Sequence, residues 1–139
     1  MNIKKNKSGF TLLEIIIVII IVGVLASLAL PRFFSTVEFS RSQEALSTIA
    51  AIRGALERCY LSKGGNYTAC ALGNLDIDNP ASSPNAHFAY VISGQTVALY
   101  VITATRNTLD GGVATDTVIL SQNASTVTRA GTTAFHGLN

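Results

Sequence analysis

The chain has no tryptophan, one methionine, three prolines and two cysteines among 139 residues, and only 13% of it is charged. Each shortage closes off a class of protein. Two cysteines, Cys59 and Cys70, are too few for a metal centre without His or carboxylate neighbours. The two histidines, His87 and His136, stand alone, with no acidic residue beside them in sequence. No nucleophile is paired with a histidine and a carboxylate, so an enzyme is not expected, nor is a cofactor. Asp76 and Asp78, like Asp110 and Asp116, lack the dense alternating oxygen ligands of a calcium loop and read as solvated turn residues. Basic residues are scarce past the start. Of ten Lys+Arg, three (Lys4, Lys5 and Lys7) precede Gly9, which leaves seven against eight Asp+Glu. The pI of about 8.7 therefore belongs to the first nine residues. The remainder has no basic cluster that would serve a nucleic-acid surface.

What the chain has is one long apolar run. Phe10 to Leu30 is 21 residues with a single charge, Glu14. As a helix it spans roughly 31 Å, the thickness of a bilayer's hydrocarbon core. The β-branched stretch Ile15–Val22 would favour a strand in water, but in lipid only a helix satisfies its own backbone. The run is too long for a cleaved secretory signal, and no small-residue cleavage site closes it. The basic end stays in the cytoplasm by the positive-inside tendency, and the rest is exported. A carboxylate in such a run costs on the order of 2.5–3.5 kcal/mol, less near the helix end. Glu14 therefore needs a partner, and its own segment is read as offering none.

Past Pro31 the pattern turns amphipathic. Leu46, Ile49, Ile52, Leu56, Cys59 and Tyr60 recur at spacings of three and four. Glu38–Arg41 and Arg53–Glu57 are spaced to pair along a helix. Lys63-Gly64-Gly65 reads as a helix stop, a cation in the last turn followed by glycine. The expected helix thus runs from about Phe10 to about Ser62, some 80 Å if unbroken. Gly23 and Pro31 interrupt it, and a kink or local melting is expected at the proline. Turn signals at Gly73-Asn74, Asp78-Asn79-Pro80 and Ser83-Pro84 mark a loop. From Phe88 the period becomes two. Strands are expected over Phe88–Ile92 and Val97–Ile102, joined by a hairpin at Gly94-Gln95, and over Thr117–Leu120 and Thr126–Arg129, joined at Gln122-Asn123.

The fold class is therefore α+β, a long N-terminal helix packed on a small four-stranded antiparallel sheet. The divisions are residues 1–9 as a basic leading segment, 10–30 as the membrane helix, 31–62 as the amphipathic half, and 63–86 as the connecting loop. Residues 87–131 form the sheet head and 132–139 a tail, for which Phe135 is the pin. Export makes a Cys59–Cys70 disulfide the expected state, with two unpaired thiols as the alternative. Asn66-Tyr67-Thr68 and Asn123-Ala124-Ser125 match a glycosylation pattern that is frequent by chance, so both are read as unmodified.

The string Lys7-Ser8-Gly9-Phe10-Thr11-Leu12-Leu13-Glu14, with the apolar run behind it, resembles the class III signal of type IV prepilins and pseudopilins. The likeness is close over residues 7–40, including Gly23, Pro31 and Arg32-Phe33-Phe34, and architectural beyond. It implies cleavage between Gly9 and Phe10 by a prepilin peptidase, N-methylation of Phe10, and storage in the inner membrane as a single-pass protein with a cytoplasmic N-terminus. It further implies extraction by an assembly ATPase and platform protein into a helical homopolymer. Cleavage frees an amine on Phe10 within one helical turn of Glu14, so Glu14 of one copy can meet the amine of a neighbour and set register. Gly23 and Pro31 would allow the helix to melt locally under tension. The expected function is structural subunit of an extracellular type IV pilus. One alternative is the major pseudopilin of a type II secretion system, in the periplasm. That reading ranks second because such heads often carry tryptophan and a calcium loop. The other is a non-polymerising membrane-anchored binding or sensor module.

Overall fold

The computed structural model describes residues 10–123 and 126–135. Residues 1–9 with the expected cleavage residue Gly9, Ala124 and Ser125 of the second glycosylation pattern, and the end of the tail including His136 lie outside the described residues. The chain forms two units, one ending at Ser35 and the other starting at Thr36. A single helix, α1 (Leu12–Ser62), runs through both.

In the first unit α1 carries the apolar run. Its side chains are exposed from Phe10 onward, Phe10 itself 83% so. The helix continues through Gly23 and Pro31, and the ring edge of Phe33 meets Phe34 at 6.1 Å between centroids. Among the described residues this is the one helix long and apolar enough to cross a membrane.

The second unit is a helix on a sheet. Here α1 ends where expected. Gly64 and Gly65 take φ of 66° and 85°. The Gly65 N–H donates to the Tyr60 carbonyl at 2.9 Å, and that of Gly64 to the Leu61 carbonyl at 3.4 Å. This left-handed glycine stop satisfies carbonyls the helix leaves open. Lys63 follows the last helical residue rather than standing inside the last turn.

Four strands follow: β1 (Phe88–Ser93), β2 (Tyr100–Arg106), β3 (Thr117–Gln122) and β4 (Val127–Gly131). They form an antiparallel meander in chain order. The α+β fold anticipated from the periodicity is the fold observed. Three local expectations fail. The two-residue hairpin at Gly94-Gln95 is a wider loop, residues 94–99, because the Gln95 side chain donates to the Cys70 carbonyl at 2.7 Å and draws the chain toward the helix end. Val97 and Leu99 consequently precede β2 instead of starting it. Of the last two strands, β3 starts where expected at Thr117 but extends to Gln122, and β4 runs later, from Val127 to Gly131.

Side chains alternate along β2, with Tyr100, Ile102, Ala104 and Arg106 buried. They meet Ala45, Ile49, Ile52, Leu56 and Cys59 of α1, with Phe88 and Tyr90 of β1 and Val118 and Leu120 of β3. The expected stripe is thus the core face, with Leu46 and Tyr60 at its half-buried margins. Burying each large aliphatic side chain contributes about 1.5–3 kcal/mol. Phe135 does pin the tail. It is buried, its ring 5.8 Å from that of Phe88. Gly131 makes room for it, since a Cβ there would strike the Phe135 backbone.

Candidate functional site

Two sets of residues bear on function, one in each unit. The first is the start of α1. The Thr11 N–H and hydroxyl both donate to Glu14 Oε2, at 2.9 and 3.0 Å, and the Glu14 N–H donates to Thr11 Oγ1 at 3.2 Å. This reciprocal arrangement is a capping box. It corrects the reading that Glu14 has no partner in its own segment. Thr11 supplies one, three residues away, and Thr11-Leu12-Leu13-Glu14 is the sequence signature of that cap. The carboxylate spends one oxygen on the cap. Among the described residues Glu14 Oε1 accepts no hydrogen bond, so one oxygen remains for a further donor.

Around this polar point every large side chain is apolar and exposed: Leu12, Leu13, Ile15, Ile16 and onward to Leu30. An exposed apolar surface of this extent is stable only against lipid or other protein. The chemistry available at this end of the chain is adhesion with one fixed polar contact.

The second set holds the head to the helix. Arg106, fully buried at the end of β2, donates to both Glu38 oxygens, Nε to Oε2 at 3.2 Å and Nη2 to Oε1 at 3.3 Å. It also donates to the carbonyls of His87, Asn107 and Leu109, and its guanidinium lies 5.8 Å from the Phe88 ring centre. Gly112 is required beside it, because a Cβ would collide with the Asn107 carbonyl and the guanidinium. Arg41 then bridges Glu38 at 2.9 Å and Asp110 at 3.3 Å. His87 reaches Glu44 through Nδ1 and Asp110 through Nε2, both at 3.1 Å. Asp110 adopts φ 51°, a left-handed conformation that aspartate tolerates better than most residues. Burial opposes the charge on Glu38, but the Arg106 hydrogen bond and the two guanidinium charges outweigh it and hold the carboxyl below its usual range.

These contacts overturn several local readings. His87 has two acidic partners, brought from 43 and 23 residues away. Asp110 and Asp76 are not merely solvated, since Asp76 forms a two-toothed pair with Arg58 at 2.6 and 2.8 Å. Asp116 is buried. Glu38 and Arg41 pair as spaced. Glu57, placed opposite Arg53 by spacing, instead accepts the Tyr67 and Tyr100 hydroxyls at 3.0 and 3.4 Å. Burial, then the Glu57 charge, pushes the Tyr100 phenol up to about 12. Arg106 was not among the sequence candidates. Cys59 and Cys70 are joined in a disulfide, so no free thiol remains among the described residues. No group of three or more potential metal ligands occurs among the described residues.

The decisive comparison concerns the first set. Residues 4–30 match the model of the prokaryotic N-terminal methylation motif, and Thr11, Glu14 and the exposed sheath lie inside that match. The chain carries this motif and is similar to type IV pilins and pseudopilins. Its long helix on a four-stranded antiparallel sheet is a pilin-like fold.

Both branches of the family appear among similar proteins. The chain is 39% identical over 83 residues to type II secretion system core protein G of Aeromonas hydrophila, covering 58% of this chain and 57% of that protein. It is 32% identical over 102 residues to fimbrial protein EcpC of Eikenella corrodens, covering 73% and 58%. It is 34% identical over 70 residues to type IV major fimbrial protein FimA of Dichelobacter nodosus, covering 50% and 43%. The matched region thus spans about half the length of these relatives. No solved structure matches the chain. The apolar helix and the motif fit membrane anchoring.

Proposed function

We propose that the chain is the structural subunit of a type IV pilus, cleaved after Gly9, N-methylated at Phe10 and polymerised through α1 with Glu14 setting register. The observation that carries this reading is the pairing of an exposed apolar sheath with one half-used carboxylate at its tip. In a filament, neighbouring helices replace lipid. The free amine that cleavage makes on Phe10 is a donor for Glu14 Oε1, so a contact that exists only after processing fixes the axial offset between copies. A charge in that apolar setting is strongly destabilising without its partner. Before assembly the subunit sits in the inner membrane with its N-terminus in the cytoplasm. A prepilin peptidase processes it, and an assembly ATPase with its platform extracts it. Gly23 and Pro31 supply the points at which α1 melts under tension.

The pilus form is favoured by the fimbrial match over 102 residues, which reaches well into the head. A second reading, the major pseudopilin of a type II secretion system, is favoured by the 39% identity to a core protein G. Shearing cells and analysing the released fibres by mass spectrometry tests both. Long external fibres built of this chain, starting at N-methylated Phe10, are the expected result. Fibres absent from intact cells but present when secretion genes are overexpressed would move the assignment to the pseudopilus. A mature chain that starts at Met1 would sink both.

A further inference from the structure

We infer that Asp78 of one copy seats against Arg53 and Arg129 of a neighbouring copy, in the groove between α1 and β4. The inference rests on the filament reading above and adds to it a contact between heads. The groove has a volume of about 340 Å³ and is lined by Gln43, Leu46, Ile49, Arg53, Leu120 and Arg129 among others. Arg129 lies opposite Leu120 in the β3–β4 register, which puts it on the helix-facing side of the sheet. Two guanidinium groups thus flank an apolar floor, and no carboxylate lines it.

The charge inventory of the head points to what fills it. Glu38, Asp76 and Asp110 are in ion pairs with arginines, Glu44 meets His87, and Glu57 holds two phenols. Asp116 has partners of its own. Asp78 is the one described carboxylate of the head with no side-chain partner. It is exposed and lies on the loop ridge Ile77-Asp78-Asn79-Pro80. Arg53 and Arg129 are likewise outside every ion pair among the described residues, Arg53 meeting only the Tyr100 hydroxyl.

Placement on the helix says how the two would meet. A second hollow, lined by Ser47, Thr48, Ala51 and the Asp78 ridge, lies on the other side of α1. Exposed Ser47 lines both hollows, while Ala45, Ile49, Ile52 and Leu56 face the sheet. At about 100° per residue the two hollows fall on opposite flanks of one exposed ridge, at the same height along α1. The two patches are different surfaces of one copy, so they need not pair about a two-fold axis. They suit a heterologous contact, in which each copy offers its loop to the next, and such contacts propagate into open helical assemblies. Opposite charge across the contact fixes which surfaces meet.

The test is cross-linking in assembled fibres of the full chain. Asp78→Cys and Arg129→Cys are introduced together and separately, both at exposed positions, with peptide mapping to verify that Cys59–Cys70 stays intact. Mild oxidation of sheared double-variant fibres should give a ladder of covalent multimers, and fibres mixed from the two single variants should give dimers only. Cross-linking is the readout because one exposed ion pair changes affinity only a fewfold. Fibres that form normally but show no double-variant ladder above the single-cysteine background would overturn the contact and leave the filament reading standing. Absence of fibres from the unaltered chain would overturn both. If the ladder is missing and Arg129→Glu instead abolishes retention of double-stranded DNA on fibres, the groove is a nucleic-acid site and the proposal is wrong.

Discussion

Arg106 and Glu38 meet side by side, guanidinium to carboxylate, across 68 residues of sequence, and the arginine is fully buried while the glutamate stays partly exposed. The pair fastens the end of β2 to the N-terminal part of the head's helix. Asymmetric burial decides which partner matters more. Removing Glu38 leaves a buried cation that still donates to three carbonyls. Removing Arg106 leaves Glu38 with Arg41 alone and takes a donor from all three carbonyls, of which those of His87 and Leu109 keep a backbone N–H.

Arg106→Met is therefore expected to destabilise the head by about 1–3 kcal/mol, because the Asn107 carbonyl loses its Arg106 donor and Glu38 loses one of its two guanidinium partners. Thermal unfolding of the detergent-solubilised chain, followed by circular dichroism, measures it. Arg106→Lys keeps the charge but cannot span both carboxylate oxygens, so it should lose a good part of the same stability. A methionine variant that melts with the wild type would show that the pair is incidental to the fold.

The same pair predicts an acid limb of stability. Glu38 titrates below its usual range in the folded head. A depressed folded value means that the ionised carboxylate stabilises the fold above the unfolded pKa of about 4.3, and that this contribution fades as pH falls through the lower folded value. Melting temperature recorded from pH 7 to pH 3 should therefore drop at the acid end. In Glu38→Gln the melting temperature should start lower at pH 7, by about 1–2 kcal/mol in stability, and fall less steeply. Parallel curves for the two proteins would assign the acid limb to other carboxylates.

The disulfide closes a short loop, Cys59 to Cys70, at the point where α1 hands over to the connecting segment. Loop entropy puts its contribution at about 2–3 kcal/mol. Cys59→Ser with Cys70→Ser should lower the denaturation midpoint accordingly and leave the sheet's circular dichroism intact. Both cysteines are buried against Tyr67 and the strand core, so the double variant also loses packing, and a loss below 1 kcal/mol would show the cross-link to be redundant.

Local period and local chemistry made half of this legible. The stripe from Leu46 to Tyr60 was readable because helix period and core face coincide. Gly64-Gly65 was readable because only glycine takes two successive left-handed conformations cheaply. What escaped was long-range. Arg106 looks like the polar end of an ordinary strand, and nothing within 30 residues hints at Glu38. His87 looked isolated because its acidic partners arrive from α1 and from the β2–β3 connection. The hairpin at Gly94-Gln95 failed for the same reason, since a local turn signal lost to one side-chain bond with the Cys70 carbonyl. The Thr11–Glu14 cap is a different case. Its signature is local and complete, but the cost of a carboxylate in an apolar run points just as directly to a distant partner.

That cap sharpens what Glu14 has to do. Its carboxylate has two separable properties, an acceptor oxygen for Thr11 and a negative charge for an amine. Glu14→Gln keeps an acceptor for the cap and removes the charge, Glu14→Ala removes both, and Thr11→Val removes the hydroxyl alone. Loss of a cap costs about 0.5–2 kcal/mol of helix stability, which lipid or neighbouring helices can absorb. An amine left without its counter-charge in an apolar filament costs more. Fibre yield by shearing and immunoblot should therefore stay near wild type for Thr11→Val and fall together for Glu14→Gln and Glu14→Ala. If Glu14→Gln instead assembled normally and Thr11→Val did not, the carboxylate would be acting as a helix cap, and the register of the filament would have to come from the apolar sheath and the heads.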